Sequence, residues 1–123
     1  MAILLVIEDD TQLQRMIKLV LEKHGHQVFT AENGIEALYQ INAHRPALII
    51  LDLMMPLASG EAVLEHLRST PDLRSTRVLI VSALPTAHQL AEQLGADDVL
   101  QKPVPIGTLV TRVEELLHQS EPE

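Results

Sequence analysis

The stretch LIILDLMMPLASG, residues 48–60, decides how this chain is read. Leu48 to Leu51 is a short apolar run of the kind that lies in the middle of a sheet, and it ends on a carboxylate, Asp52. Leu53, Met54 and Met55 then resume the hydrocarbon before Pro56. A charge set among so many apolar residues is costly unless something compensates it. Asp52 therefore calls for partners, and the rest of the sequence has to supply them.

Outward from this run, short apolar segments alternate with segments of helical period. Ile3 to Ile7 reads as a buried strand. Leu13, Met16, Ile17, Val20 and Leu21 recur at helical spacing behind a capping-box pair, Thr11 and Gln14, and ahead of a stop at Gly25. Gln27 to Ala31 is a weaker, more polar strand and is expected at an edge. Asn33 and Glu36 open a helix carrying Ala37, Leu38 and Ile41, Pro46 closes the connection that follows, and Ala47 to Leu51 is the third strand. Ser59 caps a helix with Val63, Leu64 and Leu67 on its inner face and Glu61 in its first turn.

Val78 to Val81 is a fourth strand, followed by a short helix capped by Thr86 and Gln89 and ending at Gly95. Asp98 to Gln101 is a fifth strand. Pro105 starts a last helix with Leu109, Val110, Val113, Leu116 and Leu117 inward. Residues 120–123 read as a frayed tail, leaving one domain over 1–119. Five strands alternating with five helices predict an α/β fold: a doubly wound, five-stranded parallel sheet of flavodoxin-like order 2-1-3-4-5, covered on both faces.

Composition agrees with a single compact domain of 123 residues. Hydrophobic residues make up 46% but aromatics only 2%, so the core must be aliphatic. A net charge of −8 argues against direct contact with nucleic acid or an anionic membrane. With no cysteine there is neither a disulfide nor a thiolate metal site, which suits a reducing cytoplasm. The opening MAILLVIEDD lacks the basic start of a signal peptide, and no apolar run approaches the ~20 residues of a membrane span.

In folds of this class ligands bind beyond the carboxyl ends of the strands. Those ends collect the polar residues: Glu8, Asp9 and Asp10 after strand 1, Asp52 after strand 3, Ser82 at strand 4, Lys102 and Pro103 after strand 5. Crowded carboxylates repel, and one of them takes up a proton unless a cation joins them. Oxygen ligands with room for water suit Mg²⁺. An aspartate beside Mg²⁺, an ammonium and a hydroxyl is placed to attack a phosphoryl group and become an aspartyl phosphate.

These residues carry a family resemblance. LLVIEDD (4–10), LIILDLMMPLASG (48–60), VLIVSA (78–83) and GADDVLQKP (95–103), in this order and spacing, resemble the receiver domain of two-component response regulators over essentially the whole chain. The resemblance implies a phosphorylation-dependent signalling switch, fed by a histidine kinase or a histidine phosphotransfer protein. It further implies no enzymatic activity beyond the chain's own phosphorylation and dephosphorylation. By the same resemblance Glu8 and Asp9 hold Mg²⁺, Met54 offers its backbone carbonyl to the metal, and Asp52 is the phosphoacceptor. Ser82 is the switch hydroxyl, Lys102 pairs with phosphoryl oxygens, and the Lys102–Pro103 bond is cis.

Two features depart from the family pattern. Val99 stands where an aromatic residue commonly couples to the switch hydroxyl, and a β-branched side chain of this size cannot swing in the same way. The segment from Ser82 to Gly95 is also about two residues short, which trims the loop and helix 4. Both changes keep alive a second reading, a pseudo-receiver that mediates protein contacts without phosphorylation. A Mg²⁺-dependent phosphatase of the haloacid dehalogenase type is disfavoured, because Met54 occupies the place of its second aspartate. A flavodoxin is disfavoured by Glu8, Asp9 and Asp10, which would repel a phosphate.

Overall fold

The computed structural model describes residues 1–55 and 59–119, so Pro56, part of the loop over Asp52, and the tail at 120–123 lie outside the described residues. In chain order the elements are β1 (Ile3–Ile7), α1 (Thr11–Lys23), β2 (Gln27–Ala31), α2 (Gly34–His44), β3 (Leu48–Leu51) and α3 (Gly60–Ser69). After a 3₁₀ turn (Pro71–Leu73) come β4 (Arg77–Ser82), α4 (Ala87–Leu94), β5 (Asp98–Gln101) and α5 (Ile106–Gln119). The strands form one sheet in the order β2-β1-β3-β4-β5, every neighbour parallel. This is the flavodoxin-like arrangement that the sequence predicts, with β2 at an edge.

Side chains alternate across each strand, and both faces are buried. Leu5, Ile7, Ile49, Leu51 and Ile80 face α2, α3 and α4, where Ala37, Ile41, Val63, Leu64 and Leu67 meet them. Leu4, Val6, Leu48, Ile50 and Leu79 face α1 and α5, against Ile17, Leu21, Leu109, Val113 and Leu116. Because every central strand is enclosed, its sequence is a continuous apolar run, and polar residues survive only where the strands end.

Local signals place most boundaries. Asn33 accepts from the Glu36 amide, Ser59 from the Ala62 amide, and Gly95 closes α4 at φ 79°. Others need correcting. The cap of α1 is not a Thr11/Gln14 box: the Asp10 carboxylate accepts from the Gln12 and Leu13 amides, and Gln14 turns inward. Thr86 makes no side-chain cap bond at α4. Met16, one of the apolar residues at helical spacing in α1, is 49% exposed. It lines a cleft of about 520 Å³ with Leu13, Ile17, Val104, Ile106 and Leu109. The stripe Gln14, Ile17, Leu21 is what α1 buries, a rotation of the helix that puts Met16 outside it.

Candidate functional site

Register brings the polar strand ends together. Ile7 is level with both Ala31 and Leu51, so Glu8 and Asp52 leave the sheet side by side. The Asp52 amide donates to Ile7 O at 3.0 Å and extends the ladder by one bond. Ser82 is level with Gln101, and the Lys102 amide donates to Ser82 O at 2.8 Å. The Lys102–Pro103 peptide is cis, as expected.

At the centre, Asp52 is only 4% exposed and Glu8 3%. Asp52 Oδ1 accepts from the Met54 amide at 3.0 Å, and Oδ2 lies 3.4 Å from Lys102 Nζ. Lys102 sits closer to Glu8, with Nζ 2.7 Å from Oε1, while Glu8 Oε2 accepts from the Asp10 amide at 3.2 Å. One ammonium therefore serves two buried carboxylates. Burial pushes the Glu8 carboxyl up to about 7; Lys102 and the Asp10 amide pull the other way, and Asp52 adds to the push. Burial also opposes the charge on Lys102, yet its bond to Glu8 and the charges of Asp52 and Glu8 outweigh it and hold the ammonium above its ordinary value. The pocket carries more negative charge than Lys102 neutralises.

Asp9 joins this pair from the exposed side. One carboxylate oxygen from each of Glu8, Asp9 and Asp52 lies within 4.8 Å of the others. The set is oxygen only, anionic and open on one side, which fits a hard divalent cation that keeps several waters, as Mg²⁺ does. Met54 meets Asp52 through its amide, and its side chain points outward, 55% exposed. Ser82 is fully buried, its Oγ accepting from the Leu84 amide at 3.1 Å. Asp10, next to the acidic pair, spends its carboxylate on the cap of α1.

Two residues that shape the site were not assigned to it from the sequence. Gly60, the first residue of α3, packs on the backbone beneath Asp52: a Cβ there would collide with Asp52 O and sit 2.8 Å from Leu53 Cα. The one signal was a glycine at a helix start, where alanine is the better helix former. Gln14 is 8% exposed and donates from Nε2 to Glu8 O at 3.0 Å and Ala31 O at 3.1 Å. Its signal was a carboxamide in the same stripe as Ile17 and Leu21.

Comparison with known proteins decides the family. The family model for the response regulator receiver domain matches residues 4–114. This chain belongs to the response regulator receiver domain family. The receiver is 35% identical over 122 residues to response regulator MprA of Mycobacterium avium, an alignment covering 98% of this chain and 53% of that protein. The chain thus spans about half the length of the curated relatives it matches. Among solved structures it is similar to the receiver domain of Francisella response regulator 1452, with a TM-score of 0.88 and 34% identity over 98% of this chain and 100% of that one. It is also similar to the signal receiver domain of a signal transduction histidine kinase from Syntrophus aciditrophicus, with a TM-score of 0.92 and 32% identity over 100% and 95% of the two chains. The receiver's acidic pocket is consistent with Mg²⁺ binding, and no helix among the described residues is long and apolar enough to cross a membrane.

Proposed function

We propose that this receiver, a domain over residues 1–119, is a cytoplasmic signalling switch that takes a phosphoryl group onto Asp52. The donor is the phosphohistidine of a histidine kinase or phosphotransfer protein. The reading rests above all on the enclosed Asp52 carboxylate, held between the Met54 amide and Lys102 with Glu8 and Asp9 alongside. A carboxylate this buried costs free energy in the resting protein, and phosphorylation converts it to a group that the Lys102 ammonium can still serve.

In the transfer, an Asp52 carboxylate oxygen attacks phosphorus, the O–P bond forms, and the N–P bond of the phosphohistidine breaks. The imidazole leaves with the electron pair and takes a proton from water. The Met54 amide holds Oδ1 and so fixes the plane in which Oδ2 is presented. Lys102 Nζ, near both Oδ2 and Glu8, is within a small movement of an incoming phosphoryl oxygen. Glu8, Asp9 and Asp52, with the Met54 carbonyl, are the proposed holders of Mg²⁺. When bound, that ion would neutralise charge on the transferring oxygens.

Ser82 Oγ would exchange its bond from the Leu84 amide for one to the phosphoryl group, which ties the chemistry to the β4–α4 loop. The relative that is the receiver domain of a histidine kinase makes a donor within the same polypeptide a second arrangement of the same chemistry. Intact-mass measurement after incubation with acetyl phosphate and Mg²⁺ tests the reading. Wild type should gain one phosphoryl group and Asp52→Ala none; an equal gain in Asp52→Ala overturns it.

A further inference from the structure

Gln14 is a buried polar side chain that the phosphoryl chemistry does not use. It reaches from the inner face of α1 to the point where the β1–β2 ladder ends. Ile7 and Ala31 are the last paired residues, and the Glu8 amide closes on Ala31 O at 3.0 Å. Beyond that point Glu8 O has left the sheet. The Gln14 carboxamide supplies the missing donor, with one Nε2 bonding both Glu8 O and Ala31 O.

The Glu8 carbonyl belongs to the peptide plane that joins Glu8 to Asp9. Holding that plane sets the direction in which Asp9 leaves the backbone. Glu8's own carboxylate is fixed independently, by Lys102 and the Asp10 amide. No side chain among the described residues other than Gln14 bonds the 8–9 peptide.

We propose that Gln14 is a positioning residue of the metal pocket: by bonding Glu8 O and Ala31 O it fixes the Glu8–Asp9 peptide and aims the Asp9 carboxylate at Glu8 and Asp52. The inference rests on the Mg²⁺ reading of that pocket. A group of this kind, which orients a ligand without touching the metal, typically governs affinity about 10–100-fold. A purely structural role would lower stability and leave the affinity of the folded protein unchanged.

Mg²⁺ titration by calorimetry on the unphosphorylated protein separates the two, with thermal unfolding followed in parallel. Gln14→Met keeps the bulk and removes both bonds, so Mg²⁺ affinity should fall about tenfold or more in protein that is still folded. Gln14→His retains an N–H donor and should recover most of that loss. Should Gln14→Met not fold, Gln14→Asn carries the test: its shorter carboxamide cannot span both carbonyls, and an intermediate loss is expected. Unchanged Mg²⁺ affinity in a folded Gln14→Met or Gln14→Asn protein overturns the inference. Failure of wild type to bind Mg²⁺ strikes instead at the metal reading of Glu8, Asp9 and Asp52, and removes the basis of this inference with it.

Discussion

Glu8 stands between two opposing demands. Its enclosure favours the protonated form, and its contact with Lys102 favours the carboxylate. Enclosure prevails, and the carboxyl titrates at about 7 rather than near 4.5. A folded-state pKa above the unfolded one means that the native protein holds the extra proton between those two values. Metal-free protein should therefore lose stability as pH rises from about 4.5 to 7, with no further loss from this group above that. A cation needs the carboxylate, so Mg²⁺ affinity should weaken as pH falls below about 7, with protons released on binding near neutrality. Calorimetric titration at several pH values, in buffers of different ionisation enthalpy, checks both signs. Mg²⁺ affinity flat from pH 5.5 to 7.5 would contradict competition between the cation and a proton on Glu8.

Between α3 and the end of β3, a single missing methyl group decides the geometry. Gly60→Ala would set a Cβ against the backbone at Asp52 and Leu53, with no flexible side chain to give way. It should destabilise by about 1–3 kcal/mol and slow the phosphorylation of Asp52, both measurable on one preparation. Gly107, in α5, provides the control, since a Cβ there meets nothing within 4 Å. Gly107→Ala should be neutral or stabilise by up to about 1 kcal/mol. Equal effects at the two glycines would refute the close-approach account.

The face formed by α4 and β5 carries Val99 in place of an aromatic residue. Val99 is half-buried against the cluster beneath α4, and the Gln101 carboxamide donates to Leu84 O at 3.3 Å. With no aromatic rotor at Val99, addition of a beryllofluoride phosphoryl mimic should shift amides around Glu8, Asp52 and Lys102, and the Leu84 amide that Ser82 releases, more than the rest of 84–101. Large shifts concentrated in 84–101 would contradict this.

Across the molecule, what was legible in the sequence is what depends on local pattern. Enclosed parallel strands must be apolar, so Glu8, Asp52, Ser82 and Lys102 marked their own strand ends, and the order of the sheet followed from right-handed crossovers. What escaped depends on distance in three dimensions. Gln14 fitted a capping-box spacing, while its real partners lie on β1 and β2. Nothing in the spacing around Arg68 marked it out. In the fold it donates to Gly95 O, Arg74 O, Thr76 O and the Asp97 carboxylate, binding the ends of α3 and α4 to the start of β4. Nor could spacing show that Lys102 rests closer to Glu8 than to Asp52.

The proposed phosphoryl acceptor is one side chain, and its product has distinctive chemistry. An aspartyl phosphate is an acyl phosphate, which borohydride reduces to homoserine. Protein treated with acetyl phosphate and Mg²⁺, reduced and mapped by peptide mass spectrometry, should carry homoserine at position 52 and aspartate at 9 and 10. Homoserine at another acidic position, or phosphate on a serine or histidine with Asp52 intact, would contradict the account.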